Sequence, residues 1–347
     1  MRELPLPKIS LGQAYRLRWK RRRLLWRCLR VRRDLRPVQL RLDHIGSDAI
    51  LAVVVLRNEA VRLPYFLEYY RSLGVDHFLM VDNGSDDGSA DLLAAQDDVS
   101  LWHTTASYRD TRFGLDWSGW LLMRYGHGHW CLTLDVDELL TYPGMQDHGL
   151  RDLTSVLAAE GRDGFGAMML DLYPKGALGT QVYAPGQDPT EVLSGFDAGP
   201  YRTERQAPMG NLWMQGGVRE RAFFQHNPHS SPTLNKLPLM RWNRRFAYTN
   251  STHALLPRRL NALYSGPMAQ GGPSGVLLHS KFLPDVRARS AEDTLRQQHF
   301  HDPSKFASYY AAIDSAPDLW HANTRIYDGP EGLEVLELCK APDWSRL

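Results

Sequence analysis

From residue 49 onward the chain alternates short apolar runs with segments whose apolar positions repeat at helical spacing. Residues 50–56, 77–81, 99–103 and 130–134 read as strands, and residues 63–73, 89–95 and 113–125 between them read as helices. The strand runs are short, continuous and largely apolar rather than alternating, as strands covered on both faces are. Their order therefore predicts an α/β fold with a doubly wound, mostly parallel sheet and helices on both faces. A helix over 150–160 and a strand over 165–170 continue the pattern. From 173 to about 231, Gly, Pro and polar residues predominate, which predicts long loops with a few short strands, the kind of segment that shapes a binding site. Strands are expected again at 237–242 and 276–282, followed by amphipathic helices over 284–298 and 303–313.

Upstream, residues 15–35 place Leu17, Leu24, Cys28, Val31 and Leu35 on one helical stripe, with Trp19 and Trp26 near it and arginines over the rest. Charge changes the picture here. The net charge of +2 conceals a stretch of +10 between residues 14 and 36 and a body of −8. A basic amphipathic helix of this kind suits an anionic membrane surface, whereas a charged helix docked on its own domain is the bland reading. The polar segment 37–48 reads as a linker. An acidic body makes nucleic acid an unexpected partner, and acidic pockets suit metal ions better. With 43% hydrophobic residues and ten Trp the chain is globular. Cys28, Cys131 and Cys339 are too few and too scattered for a disulfide framework or a CxxC site, and the longest apolar run, 49–56, is eight residues against the ~20 of a spanning helix. The expectation is a cytoplasmic chain, peripheral to the inner membrane face at most. It divides into a basic arm and linker (1–47), a first half-domain (48–172), a loop-rich half (173–283) and a C-terminal helical segment (284–347).

In an open parallel sheet, ligands collect at the carboxyl ends of the strands. Here the first strand runs into Arg57, Asn58 and Glu59, the second into Asp82 and Asn83, and the fourth into Asp135, Val136, Asp137 and Glu138. Side chains at i and i+2 of an extended segment share a face, so Asp135 and Asp137 would point into one pocket and repel unless a cation sat between them. Oxygen ligands favour Mg²⁺ or Mn²⁺ with positions left for a substrate diphosphate. An Asp-x-Asp triplet is common as a solvated turn; its delivery by an apolar strand to the ligand edge singles this one out. Residues 81–89, Val-Asp-Asn-Gly-Ser-Asp-Asp-Gly-Ser, read as a strand end, a tight turn and a helix cap. Asp82 is placed to accept hydrogen bonds from a ribose or a base.

Together, Leu-Arg-Asn-Glu at 56–59, the segment 81–89 and Leu-Asp-Val-Asp-Glu at 134–138 resemble the family 2 type of glycosyltransferases, over about residues 49–172. The resemblance implies a GT-A fold and transfer of a single sugar from a nucleotide donor, UDP first, to a hydroxyl of a glycan or lipid-linked acceptor by a metal-dependent, inverting hexosyltransferase-like reaction. By it, Arg57, Asn58, Glu59, Asp82 and Asn83 line the nucleotide pocket, Asp135 contacts metal and donor, and Asp137 holds the metal. Asn-Lys-Leu-Pro-Leu at 235–239, Ser-Thr-His at 251–253 and Leu-Leu-His-Ser-Lys-Phe at 277–282 resemble a subgroup. Many GT-A enzymes complete the metal shell with a downstream His, for which His279 is the candidate; Lys281, two residues on, would reach a phosphate. An inverting reaction also needs a carboxylate base, and Asp171, at a strand end, then Glu220 are the candidates. The chain lacks the membrane-spanning helices of polysaccharide synthases and a clear Gln-x-x-Arg-Trp box. A non-catalytic glycan- or nucleotide-binding protein on the same scaffold is the alternative; intact strand-end carboxylates speak against it.

Overall fold

The computed structural model describes residues 4–267, 271–296 and 307–347. The last two residues of the helix expected over 284–298, and the start of that over 303–313, lie outside them. The first half comprises α1 (Leu11–Val31), β1 (Arg36–Gln39), β2 (Leu51–Leu56), α2 (Leu63–Leu73), β3 (His77–Asp82), α3 (Ser89–Ala94), β4 (Val99–His103), α4 (Leu115–Arg124), β5 (Trp130–Leu134), β6 (Glu138–Thr141), α5 (Leu150–Ala159) and β7 (Gly164–Asp171). The second half adds α6 (Pro189–Val192), β8 (Gly195–Phe196), β9 (Tyr201–Gln206), β10 (Asn211–Gly216), α7 (Gly217–Phe223), β11 (Asn235–Arg241), β12 (Ala247–Tyr248), β13 (Leu255–Leu256), β14 (Ser274–His279), α8 (Val286–Arg296), α9 (Ala307–Asp314), β15 (Arg325–Ile326) and α10 (Pro330–Val335).

Nine strands form the central sheet in the order β1-β4-β3-β2-β5-β11-β7-β14-β6. β4, β3, β2, β5, β7 and β14 run one way, and β1, β11 and β6 run the other. Both faces are covered. Phe66 of α2 packs on Phe78, which is level with Ala52, whereas the start of α4 at Gly114 lies against Val55. Ala52 and Val55 fall on opposite faces because side chains alternate along a strand.

β5 and β6 are three residues apart in the chain, yet three strands separate them in the sheet. Four Cα steps reach about 14 Å, whereas four flat strand spacings measure about 19 Å. The far edge of the sheet must therefore curl, bringing β6 and the ends of β7 and β14 back over the end of β5. Tyr70 on α2 fixes that curl, since its hydroxyl donates to the Glu138 carbonyl (2.9 Å) and accepts from the Leu140 amide (2.9 Å).

The basic arm is a helix, capped at Ser10 and Gln13 by reciprocal side-chain hydrogen bonds. Its buried stripe is Leu17, Leu24 and Cys28, and it docks on α4. Glycine at 119 permits the approach, because a Cβ there would come within 2.6 Å of the Cys28 sulfur. Trp19 and Trp26 lie outside this stripe, exposed. The expected linker contains β1, an edge strand paired antiparallel with β4; its four residues are exposed, so no alternating pattern announces it. All three cysteines are buried and free. Among the described residues, no helix is long and apolar enough to cross a membrane.

Candidate active site

The carboxyl ends of β2, β3, β4, β5, β7 and β14 open onto one edge, as their register requires: Leu56 is level with Asp82 and His103, and Asp171 with His279 and Glu138. The loops after β2 and β3 are stitched together there. Arg57 donates to the Asn83 carbonyl (3.0 Å) and to that of Gly84; the Asn58 amide donates to Ser85 Oγ (2.9 Å), and the Asp86 amide donates to Asn58 Oδ1 (3.0 Å). Asn58 adopts a left-handed conformation (φ 53°) to do so. Asp82 is fully buried, accepting from the Ser85 amide and lying 2.8 Å from His103 Nδ1. Asn83 donates to the carbonyls of Thr104 (3.2 Å) and Ala106 (3.1 Å). Of the five residues read as a nucleotide pocket, Glu59, Asp82 and Asn83 are thus buried in the framework, while Arg57 and Asn58 stay half-exposed at the rim.

The acidic triplet departs from the extended geometry expected of it. The Glu138 amide donates to the Asp135 carbonyl (3.1 Å), so residues 135–138 form a tight turn between β5 and β6. The two aspartates face different partners. Asp135, 54% exposed at its side chain, meets the buried ammonium of Lys236 at 3.2 Å, and the same ammonium lies 2.8 Å from Glu138. Asp137 Oδ2 lies 3.1 Å from His279 Nε2. His279 Nδ1 is 2.6 Å from Asp171 Oδ1, and Arg219 Nε donates to Asp171 Oδ2 at 2.7 Å. A line Asp137–His279–Asp171–Arg219 results, in which Asp171 and Arg219 are buried and the imidazole is held from behind.

Electrostatics follow from this arrangement. Burial alone would raise the Asp137 carboxyl, but His279, with Arg289 and Arg62 further off, holds it well below the usual range. Burial likewise opposes charge on His279, yet Asp137 and Asp171 push its pKa up to about 9. Lys236 is desolvated too, and Glu138 and Asp135 keep it above the ordinary lysine value. Glu59 and Asp285 are bound by Arg62 and Arg289, a network tying the loop after β2 to α8.

The trio read as metal ligands is only partly assembled: Asp137 meets His279, whereas Asp135 turns to Lys236. Among the described residues, no three His, Cys, Asp or Glu side chains converge as a metal site. Asp171, read as a candidate base, has both oxygens engaged and is buried. Glu220, the other candidate, is clamped by Arg202 (2.5 and 2.7 Å) and by Ser231 (3.0 Å). Neither is poised to take a proton. Lys281 falls in the turn after β14, so the same-face argument from a continuing strand does not apply to it. His253 lies against the Asn235 carbonyl, and burial lowers its pKa to about 3.

Sequence reading missed Lys236, Arg219 and Arg289. Lys236 had a signal, a lysine directly before the apolar run 237–240; Arg219 and Arg289 had none. It also missed a cleft of about 80 Å³ running from Asp135 and Lys236 between Val53 and Val55 on the sheet and Tyr108 and Phe113 in the loop before α4.

No protein-family model matches the chain. A glycosyltransferase family 92 protein of Oryza sativa subsp. japonica is 29% identical over 108 residues, which cover 29% of this chain and 17% of the rice protein. The match thus spans about a sixth of that relative's length. Among solved structures, the chain is similar to a mannosyltransferase from Pyrobaculum calidifontis in complex with GDP-Man and Mn²⁺, at 15% identity and a TM-score of 0.31, covering 94% of this chain and 84% of that one. It is also similar to a glucose-1-phosphate thymidylyltransferase from Bacillus anthracis, at 9% identity and a TM-score of 0.28, covering 76% and 83%.

Proposed function

We propose that this chain is a glycosyltransferase that moves one sugar from a nucleotide donor to a hydroxyl of a glycan or lipid-linked acceptor. The observation that carries the reading is the line Asp137–His279–Asp171–Arg219 at the ligand edge of the sheet. Asp171, a buried carboxylate, fixes His279 through Nδ1 and leaves Nε2 toward Asp137, which is how proteins orient an imidazole toward a metal ion. The likeness of part of the chain to a family 92 glycosyltransferase supports the same class.

Asp137 and His279 would supply two ligands to a divalent ion of the Mn²⁺ or Mg²⁺ kind. Asp137 and His279 already meet, and Asp135, on the turn beside them and half-exposed, would join by rotating away from Lys236. When bound, the ion would supply neutralising charge to a departing nucleoside diphosphate. The chain's own cations would share that work. Arg62 and Arg289 stand near enough to lower the Asp137 carboxyl, and the Arg219 Nη2 group is buried without a hydrogen-bond partner. Asp171 serves in this reading as the residue that orients His279, and Glu220 as a structural ion-pair partner. The buried Glu59, Asp82 and Asn83 hold the two rim loops in register, leaving Arg57 and Asn58 to meet the nucleotide.

A thermal-shift screen of UDP- and GDP-sugars with and without Mn²⁺, followed by donor turnover in wild type and Asp137→Ala, tests the proposal. Metal-dependent stabilisation by a donor, with turnover lost in the variant, is expected. Absence of any donor-dependent shift, with or without Mn²⁺, would sink it.

A further inference from the structure

The outer face of α1 is built for a partner that the transferase reading does not require. Trp19 and Trp26 each follow a buried leucine, Leu17 and Leu24, by two residues, so they project about 200° around the helix from the docked stripe. They are 51% and 55% exposed, and Tyr15, one turn before Trp19, extends the same ridge. Arg22 lies over the Trp19 ring at 5.4 Å and Arg30 over the Trp26 ring at 4.7 Å. Leu11 and Leu29, toward the two ends of the helix, are exposed too, and α1 contains no acidic residue. Large rings held in water beside guanidinium groups are costly on a soluble surface and match the headgroup layer of a bilayer, where indole and phenol settle at the boundary and arginine meets phosphate.

We propose that this face docks α1 on an anionic lipid bilayer, lying in the headgroup plane without spanning it. The docked stripe rules out deep insertion, because the helix's apolar side is already spent on α4. A nucleic-acid strand fits the same residues less well. The rings stand on a convex ridge under their own arginines, not in a groove where bases could stack, and the −8 body beyond the helix repels a polyanion that runs past it.

The ridge is braced to the candidate site. Asp116, fully buried on α4, is held by Arg27 from α1 (2.9 Å) and by Arg112 (2.8 Å). Arg112, Phe113 and Gly114 all have positive φ (55°, 59° and 74°), and Phe113 and Gly114 wall the cleft that ends at Asp135. A bilayer holding α1 would thereby hold the wall of that cleft.

The test is sedimentation of the full chain with vesicles of phosphatidylcholine alone and of phosphatidylcholine mixed with phosphatidylglycerol, with melting temperature measured on every variant. Binding to the mixed vesicles only, weakened by salt, is expected. Arg22→Gln and Arg30→Gln should each weaken it roughly fivefold, and Trp19→Ala with Trp26→Ala roughly tenfold or more, at unchanged melting temperature. Equal binding to both vesicle types, no binding to either, indifference to the tryptophan changes, or tighter binding to single-stranded RNA than to the mixed vesicles would each overturn the proposal. None of these outcomes depends on whether the chain transfers sugars.

Discussion

Asp171→Asn separates two roles that a buried strand-end carboxylate could have. In the native arrangement Asp171 accepts from Arg219 Nε through one oxygen and lies against His279 Nδ1 through the other. Asparagine offers one oxygen and one amino group. Because arginine only donates, the amide oxygen must face Arg219 and the amino group must face His279. In the neutral ring that a metal ion needs, Nδ1 then has to accept, which leaves the imidazole hydrogen on Nε2, the atom facing Asp137. A ring with hydrogen on Nε2 cannot ligate through it. Loss of an orienting partner of this kind lowers metal affinity about 10- to 100-fold, and the variant also leaves the Arg219 charge without its buried counter-ion, for about 3–5 kcal/mol of stability. Calorimetric titration with Mn²⁺, the melting temperature, and turnover at saturating Mn²⁺ read these effects apart. The orienting role predicts weaker Mn²⁺ binding and substantial recovery of turnover at high Mn²⁺. Unchanged Mn²⁺ affinity, with turnover at saturating metal reduced about 10²- to 10⁴-fold as for a lost general base, would refute it and restore Asp171 as the base.

Three further outcomes follow from packing and charge. Gly119→Ala should destabilise the chain by about 1–3 kcal/mol through overpacking against Cys28, visible as a lower melting temperature and faster proteolysis between α1 and β2. Lys236→Met should cost about 3–5 kcal/mol by stranding Glu138 in the interior, and adding Glu138→Gln should recover much of that loss in urea unfolding. His77 is fully buried, and burial lowers its pKa to about 4, so between that value and 6.5 the unfolded chain binds a proton that the native chain refuses. Stability contributed by the neutral ring is therefore complete above pH 6.5 and falls with pH, by about 2 kcal/mol at pH 5. His77→Gln, which keeps a group near Ser100, should flatten that slope; an identical slope in the variant would remove His77 as its source.

What could be read from the sequence was whatever local pattern encodes. Val53, Phe78, Leu101 and Leu132 sit in largely apolar runs because both faces of their strands are covered, and the runs gave the strands to within a residue or two. The edge placement of Arg57, Asp82 and Asp135 followed from strand direction alone. Pairings across the chain left no such trace. Lys236 meets Asp135 across 101 residues, His279 meets Asp171 across 108, and Arg219 meets Asp171 across 48. Each needs the curl of the sheet, which the short turn between β5 and β6 imposes and no periodicity reveals. The same turn defeated the extended reading of Asp135 and Asp137, because β6 begins one residue after the triplet's second aspartate. The helical stripe of α1 was legible from its leucines, but which way Trp19 and Trp26 face depended on where α4 docks.

The charge pairs also explain why the acidic edge is not an open acidic hole. Asp135 is neutralised by Lys236, Asp137 by His279, Asp171 by Arg219 and Glu59 by Arg289, so each carboxylate of the region holds a cation supplied by the chain. Asp137 and Asp171, which burial alone would push toward the neutral form, are held ionised by these partners. For Asp137 and His279 to serve as ligands they must first give up each other, and His279 must lose a proton that its two aspartates hold up to about 9. Asp135 must likewise leave Lys236, whose ammonium still has Glu138 and is then free to face an incoming anion. A diphosphate arriving with its metal ion brings both charges the exchange needs, negative for Lys236 and positive for Asp135, whereas a metal ion alone brings only one. If the chain takes a metal-bound donor as proposed, these pairings would favour taking metal and donor together over taking either first.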